Sequence, residues 1–537
     1  MVLEYRVIGP PGTGKTTWLS RQAQHAATKH SPENVMLTSL TRVAALEIAG
    51  RDTSIPKDNI GTLHAFAWRA INRPKIAESK LKEWNDENKG WQVSVGNTPS
   101  LDDADVVVYE TIGDQMLAAL NILRQQMTPP EQWPHRLQVF YKRWCAWKSE
   151  SDLMDFTDLI ECAFTDAAHA PGDPAVMMGD EAQDWSALEA ALMRKWGGCT
   201  ETFVMVGDPD QSIYSWRGAD PMIFQTPAVP DEQKRVLKQS YRIPRAVHAV
   251  AMEWIRQVPN RESVEFLPRD EDGNVTRCDA TYPTPDIAID LAVEEAVSGR
   301  SVMILTTCSY MLEPLKAILR RDGIPFHNPY RPTRGDWNPL RTRGVSVGER
   351  LLAFISAAPM LMGGRGKLWS VEEFQCWAEH VKADSTFRRG AKTRLETLLN
   401  NFDGSMLVDD VLNLFCDEST AIESMLASED AKIEWMIAHL LPSKVRGYEF
   451  PAAIFNRQGC DGLTEPPCIV IGTIHSVKGG EADTVILFPD LSLAGMNQYI
   501  TDGEGRNEII RQFYVGMTRA RQSLVLAAPA SGLSVSW

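Results

Sequence analysis

Residues Gly9, Pro10, Pro11, Gly12, Thr13, Gly14, Lys15, Thr16 and Thr17 follow the spacing G-x-x-x-x-G-K-[ST], and the chemistry of that spacing is anion binding. Glycines at positions 12 and 14 let the backbone curl its N–H groups around a polyphosphate. The Lys15 ammonium reaches the terminal phosphates, and the Thr16 hydroxyl suits Mg²⁺ as a ligand. Two acidic turns add to this. The apolar run Ala175 to Gly179 ends in Asp180-Glu181-Ala182-Gln183-Asp184, and Phe203 to Val206 ends in Gly207-Asp208-Pro209-Asp210-Gln211. Acidic turns at the ends of buried strands are what a parallel sheet uses to build a site for a nucleoside triphosphate and its metal ion.

These residues need elements that position them. Tyr5-Arg6-Val7-Ile8 reads as a short buried strand. Trp18 to Lys29 lacks Gly and Pro and reads as a helix that opens directly from the loop. Val35-Met36-Leu37-Thr38 is a second apolar strand, and Thr41 to Ala49 reads as the helix after it. Such βαβ alternation predicts a parallel sheet covered by helices, with ligands beyond the carboxyl ends of its strands. From Trp68 to about Gly172 long polar helices predict an insertion, broken by a turn-rich stretch at Gly90 to Asp105. Within it Phe140, Trp144 and Trp147 share one helical face, which suits either a core stripe or a surface on which bases stack.

A second α/β pattern follows, with strands expected at Val275 to Cys278, Val302 to Leu305, Ile469 to Ile471, Val485 to Phe488 and Leu524 to Leu526. Helices dominate from Leu351 to about Leu441. The stretch Pro325 to Gly348, with Arg331, Arg334, Arg341 and Arg343, reads as a solvated linker or a basic patch.

The 537 residues are enough for three or four domains of about 150 residues. With 44% hydrophobic and 23% charged residues the composition is that of a globular protein, and a net charge of −15 excludes a uniformly basic coat while leaving room for a local basic groove. Nine cysteines with no C-x-x-C pair predict reduced thiols and a cytoplasmic setting, with which a prokaryotic or phage-encoded context is compatible. The longest apolar stretch, Leu351 to Met362, is too short to span a bilayer and contains Pro359, so no membrane partner is expected.

Read together, Gly9 to Thr16, Gly61 to Phe66, Asp180 to Asp184, Val206 to Gly218, Gln239-Ser240-Tyr241-Arg242, Thr473 to Glu481 and Tyr514 to Ala520 resemble, in order, the motifs of the superfamily 1 DNA helicases of the UvrD, PcrA and Rep type. Asp155-Phe156-Thr157-Asp158-Leu159 is similar to a further signature of that family. The resemblance implies an α/β fold of two RecA-like P-loop NTPase lobes with parallel sheets, each carrying a helical insertion. The expected boundaries are 1–67 and 173–240 for the first lobe, 68–172 for its insertion, 241–350 and 446–537 for the second lobe, and 351–445 for a smaller insertion.

It also implies roles. ATP is the substrate, and Asp180 with Thr16 would hold Mg²⁺, while Glu181 would orient and deprotonate the attacking water. Gln211 resembles the γ-phosphate sensor, Arg242 and Arg519 the arginine fingers, Tyr241 the residue stacked on the base, and Glu481 the one near the ribose. Tyr214, Trp216, Arg217, Thr38, Thr62 and His64 match positions along the strand-binding groove, core packing being the alternative for several of them. The implied partners are single-stranded and tailed duplex DNA. The implied activity is ATP-driven 3′ to 5′ translocation with unwinding, of use in DNA repair and replication. The alternative is a DNA-dependent ATPase that strips proteins from strands without separating them.

The sequence departs from the pattern in places. Ser39-Leu40-Thr41 stands where the family has an aromatic residue, so one stacking surface is missing or weaker. Only eight residues precede Gly9, which leaves no adenine-reading Gln upstream and implies relaxed base selectivity; the short stretch after Leu526 implies no nuclease domain.

Overall fold

The computed structural model describes residues 3–40, 45, 50, 54–94, 111–259, 261–341, 344–355, 367–401, 405–407, 413–417 and 428–537. The helix expected over 41–49 lies outside the described residues except for Ala45, as do 95–105 of the turn-rich break and 356–362 of the apolar stretch. Chain contacts divide the protein into two units, one of residues 1–281, 305–309 and 472–537, the other of 282–304 and 310–471.

The first unit contains a six-stranded sheet made of β1 (Leu3–Ile8), β2 (Val35–Ser39), β3 (Ile60–Thr62), β4 (Val176–Gly179), β5 (Thr202–Gly207) and β6 (Lys234–Val236). Its order is β3-β2-β4-β5-β1-β6, and every pairing is parallel. Parallel strands are covered on both faces, which is why β2, β4 and most of β5 read as unbroken apolar runs. The edge strand β6 is exempt and carries Lys234 and Arg235. The helix Lys15–His30 lays Leu19, Ala23, Ala26 and Ala27 on Val7, Val35, Leu37, Val176, Val204 and Val206. Each fully buried Val or Leu there contributes about 1.5–3 kcal/mol.

Register decides where the chemistry goes. Ile8 lies opposite Gly207, Thr38 opposite Gly179 and Gly61, and Gly179 opposite Met205. The segments that leave β1, β4 and β5 therefore emerge side by side at one carboxyl edge of the sheet.

The helical insertion has its own core. Trp84, Phe140, Trp144 and Trp147 are all buried, and the Trp84 and Trp144 rings meet edge-on at 4.9 Å between centroids. The aromatic stripe is thus core, and no stacking face is left for a strand. Asp155 caps the helix Phe156–Asp166 in a reciprocal capping box with Asp158. Its carboxylate accepts hydrogen bonds from Arg124 Nη1 at 3.1 and 3.0 Å, Trp144 Nε1 at 2.8 Å and Lys148 Nζ at 2.6 Å. Burial pushes this carboxyl up, but Arg124 and Lys148 outweigh burial and hold it well below the usual range. Breaking such a buried pair from one side costs about 3–5 kcal/mol, so the cluster pins the insertion helices to one another.

The first unit also holds the parallel strands Ala482–Leu487, Ala520–Ala527 and Asn274–Cys278. The helices Arg245–Ile255 and Glu504–Met517 pack beside them, joined where Trp254 Nε1 donates to the Ile510 carbonyl at 2.8 Å.

In the second unit Phe326–His327 pairs in parallel with the start of Ile469–Thr473, and Val302 N–H donates to the Cys468 carbonyl at 2.9 Å. Its helices enclose an aromatic core that includes Phe354, Trp369, Phe374, Trp377 and Phe415. Two of the arginines in the Pro- and Gly-rich stretch fold back onto the protein: Arg331 donates to the Tyr330 carbonyl, and Arg334 lies 3.9 Å from the Trp337 ring centroid.

Candidate nucleotide and nucleic-acid site

All the residues singled out above for chemistry lie in the first unit. The loop leaves β1 with Gly9 N–H bonded to the Gly207 carbonyl at 3.0 Å, then turns through Gly12 at φ +73° and Gly14 at φ +77° into the helix that starts at Lys15. A side chain at position 12 would be strained there and would meet Arg242 Cβ at 2.5 Å. Lys15 folds back along the loop, its Nζ donating to the Gly9 carbonyl at 2.6 Å, and Thr13 Oγ1 closes the turn on the Pro10 carbonyl at 2.8 Å. Thr17 is exposed at the first turn of the helix.

Asp180 follows β4 directly, with its N–H bonded to the Thr38 carbonyl at 2.9 Å and its Oδ2 receiving the Thr16 hydroxyl at 3.3 Å. Burial, with Glu181 adding to it, pushes the Asp180 carboxyl up to about 7. A buried carboxylate short of positive charge, beside a hydroxyl oxygen, is the oxygen donor set that a hard divalent cation fits. Glu181 takes the opposite direction. Burial pushes its carboxyl up as well, but Lys478, Lys15, the Gln183 amide and Arg519 outweigh burial and hold it below the usual range. The residue therefore stays ionised, as a proton acceptor must.

Three side chains beyond those expected organise this edge. The Gln183 amide nitrogen bonds Glu181 and Asp184, and its oxygen accepts the Asp208 N–H at 2.9 Å, tying the turn after β4 to the turn after β5. Lys478 bonds the buried Asp184 carboxylate and donates to the Gln211 carbonyl at 2.8 Å. Asp208 Oδ2 accepts the Gln211 amide at 2.6 Å. Gln183, Lys478 and Asp208 all stand inside motif segments, so the signal was present at positions whose neighbours carry the better-known chemistry.

With its amide nitrogen on Asp208, Gln211 turns Oε1 toward Arg519 Nη2 at 3.0 Å. Arg519 is 1% exposed, and its Nε donates to the Val515 carbonyl at 2.9 Å. Arg242 Nε donates to Glu481 Oε2 at 2.6 Å. Tyr241 is fastened by its N–H to the Gly12 carbonyl at 2.8 Å, while its ring is 73% exposed, a free face directly beside the phosphate loop.

The positions matched to a strand-binding groove divide. Thr38 is buried in β2, and Thr62 caps the helix Leu63–Ala70 by accepting the Ala65 N–H at 3.3 Å. His64 and Arg217 share Glu189, at 3.9 Å and 3.1 Å respectively. Burial pushes the His64 imidazole down, although Glu189 opposes it. Glu189 stands outside every motif segment, and its spacing from Ser186 signals only the capping box that it forms there. Tyr214 is buried with Lys478 Nζ 4.9 Å from its ring centroid, and Trp216 is half-buried, its indole edge-on to Tyr214 at 6.2 Å. Phe156, half-exposed and edge-on to His64 at 6.2 Å, was not singled out for this surface by the sequence.

Comparison with known proteins agrees with this arrangement. Residues 4–228 match the UvrD/REP helicase N-terminal domain, and 427–530 match the UvrD-like helicase C-terminal domain. The putative ATP-dependent DNA helicase YjcD of Bacillus subtilis is 23% identical over 98% of this chain and 77% of its own length. A probable DNA helicase II homolog of Mycoplasma pneumoniae is 21% identical over 97% of this chain and 81% of its own. The ATP-dependent DNA helicase PcrA of Staphylococcus epidermidis is 23% identical over 48% of this chain, which covers 38% of that protein. With two domain models matching more than half of its residues, and with the phosphate loop, acidic turns and arginines brought to one sheet edge, the chain belongs to the UvrD/REP family of ATP-hydrolysing DNA helicases.

Proposed function

We propose that this helicase moves along single-stranded DNA in the 3′ to 5′ direction and opens tailed duplexes, using Lys15, Glu181, Gln211, Arg242 and Arg519 for hydrolysis. The direction rests on the resemblance of Tyr214-Ser215-Trp216-Arg217 to that branch of the family; the observation that carries the coupling of hydrolysis to strand movement is the covalent and hydrogen-bonded continuity from Arg519 through Gln211 to Trp216. Only five positions separate the side chain that faces Arg519 from the indole, and Lys478 and His475 hold the carbonyls of Gln211 and Ile213 between them. A change at the phosphate must therefore be felt where a base would stack.

In this reading the loop Gly9 to Thr17 cradles the phosphates with its N–H groups and Lys15 neutralises them. Thr16 and Asp180 would hold Mg²⁺, which would supply charge neutralisation at the phosphates. Glu181 takes the proton of the attacking water, Tyr241 stacks on the base, and Glu481 lies toward the ribose. Arg242 and Arg519 stabilise charge that develops on the γ-phosphate, a role that contributes on the order of 10³ to 10⁵ in rate in related chemistry. Trp216, Arg217 and His64 face the strand, with Thr38, Thr62 and Tyr214 supporting them from beneath. The two motor lobes would comprise 1–67 with 173–240 and 241–350 with 446–537, the insertions 68–172 and 351–445. Among the described residues no helix is long and apolar enough to cross a membrane.

Strand displacement on 3′-tailed and 5′-tailed duplexes, with hydrolysis measured in parallel, tests the proposal. Unwinding from the 3′ tail with strand-stimulated turnover is expected. Unwinding from the 5′ tail alone overturns the direction, and turnover without any strand separation favours the stripping of bound proteins instead.

A further inference from the structure

Gln211 closes a short turn that carries two carboxylates, and one of them holds its amide. Asp208 and Asp210 are both buried, flanking Pro209 in the single 3₁₀ turn Pro209–Gln211. Asp208 caps this turn, with Oδ1 accepting the Asp210 N–H at 3.2 Å and Oδ2 accepting the Gln211 amide at 2.6 Å. An unpaired carboxylate at position 210 would stand as an uncompensated charge in a buried turn. It would also repel Asp208 across a buried turn.

Arg261 neutralises that carboxylate. It stands just past the helix Arg245–Ile255, outside every segment that carries the family resemblance. Its Nε donates to Asp210 Oδ1 and Oδ2 at 3.1 Å each, and its Nη2 bonds Oδ2 as well. Both oxygens of Asp210 are thereby engaged by a planar donor fork, the geometry in which a guanidinium binds a carboxylate best. Tyr514, on the helix Glu504–Met517, packs into the same nest; burial, with Asp208 and Asp210 close by, keeps its hydroxyl neutral.

We propose that Arg261 is a positioning residue for hydrolysis: by pairing with Asp210 it keeps that charge from repelling Asp208, so that Asp208 holds the Gln211 amide and Gln211 Oε1 stays directed at Arg519. Without it Asp210 is a buried unpaired charge beside Asp208, the hold of Asp208 on the Gln211 amide loosens, and the contact with Arg519 is lost. This inference rests on Gln211 acting as the γ-phosphate sensor.

A mutant cycle on the full chain tests it, with kcat and KM for ATP at saturating single strand and the melting temperature measured for Arg261→Ala, Arg261→Lys, Gln211→Ala and the double variant Arg261→Ala/Gln211→Ala. Arg261→Ala is expected to lower kcat roughly tenfold with KM changed less than about twofold, and Arg261→Lys, which keeps the charge but not the fork, to recover part of the loss. In the Gln211→Ala background the same change should alter kcat by less than about twofold, because residues acting through one group are not additive. An unchanged kcat in Arg261→Ala, or a loss that multiplies in the double variant, overturns the proposal. Should Arg261→Ala fail to fold, Arg261→Lys alone and with Gln211→Ala completes the cycle under the same criteria. Wild-type turnover in Gln211→Ala would instead overturn the sensor reading, whatever Arg261 does.

Discussion

Arg242 and Glu481 are joined at 2.6 Å, Nε to Oε2, and the other carboxylate oxygen of Glu481 accepts Arg521 Nη1 at 3.2 Å. Burial pushes the Glu481 carboxyl up, but Arg242, ahead of Arg521, outweighs burial and holds it below the usual range. The bond to Glu481 uses Arg242 Nε and so fixes the direction in which its Nη donors point. In the arginine-finger role proposed for Arg242, reaching the γ-phosphate has to compete with this pairing, and that contest would hold down turnover.

Glu481→Gln should release this restraint. At saturating ATP, strand-independent hydrolysis is expected to rise a few-fold, on the order of 1 kcal/mol of lost competition. Steady-state turnover with and without single strand measures it; a fall in both would mean that Glu481 does not restrain Arg242 and that its place toward the ribose is what turnover needs.

Lys15→Ala and Glu181→Gln should each abolish strand-stimulated hydrolysis, the second by roughly 10² to 10⁴-fold as expected for loss of a general base. Glu181→Gln should retain nucleotide affinity in an equilibrium titration. Near wild-type turnover in either protein would remove the site from this sheet edge.

Much of that edge is legible in the sequence because its strands are buried on both faces: Val7-Ile8, Val35 to Leu37, Met177-Met178 and Phe203 to Val206 leave little room for another reading. The strand Lys234–Val236 is not, since an edge strand needs no apolar run and two of its three residues are charged. The nucleotide residues announce themselves by spacing, but their partners do not. Glu189 reads as one more helical glutamate until the fold sets His64 and Arg217 against it, and Arg261 acquires meaning only from Asp210, fifty-one positions away. Long-range pairing of this kind leaves no local pattern. Trp144 and Trp216 show the same limit from the other side, because an aromatic residue at a plausible spacing reads alike whether it is fully buried, as Trp144 is, or half-exposed, as Trp216 is.

Trp216→Ala should weaken single-strand affinity by roughly ten- to a hundredfold, since a stacked base contributes about 1–3 kcal/mol. Basal hydrolysis should stay nearly intact, and unwinding should fall further than ATPase activity at saturating DNA. Fluorescence anisotropy, basal turnover and a melting curve on the one variant decide the matter. A destabilised protein with parallel losses would make the indole a core residue.

Glu78 gives the insertion a pH dependence. Its Oε1 accepts the Phe156 N–H at 3.1 Å, its Oε2 is buried with no hydrogen-bond partner, and burial, with Asp155 adding to it, pushes the carboxyl up to about 8. The folded protein thus holds a proton that the unfolded chain gives up near pH 4.3, so this group's contribution is fully present below that value and is lost as pH rises through about 8. The melting temperature should decline between pH 5 and 8, and Glu78→Gln, which keeps the acceptor oxygen without the charge, should flatten the decline. Identical slopes for the two proteins would count against the assignment.

Glu181 adopts φ +54°, a left-handed backbone that side-chain-bearing residues hold at a cost of about 1–3 kcal/mol. Glycine, and to a lesser degree asparagine, adopts this conformation with less strain. In the role proposed for Glu181, the proton acceptor therefore stands where the backbone favours a residue that cannot do the work. Selection for thermal robustness alone would drift toward Glu181→Gly and a more durable, inactive protein, so activity here is maintained against the preference of the fold.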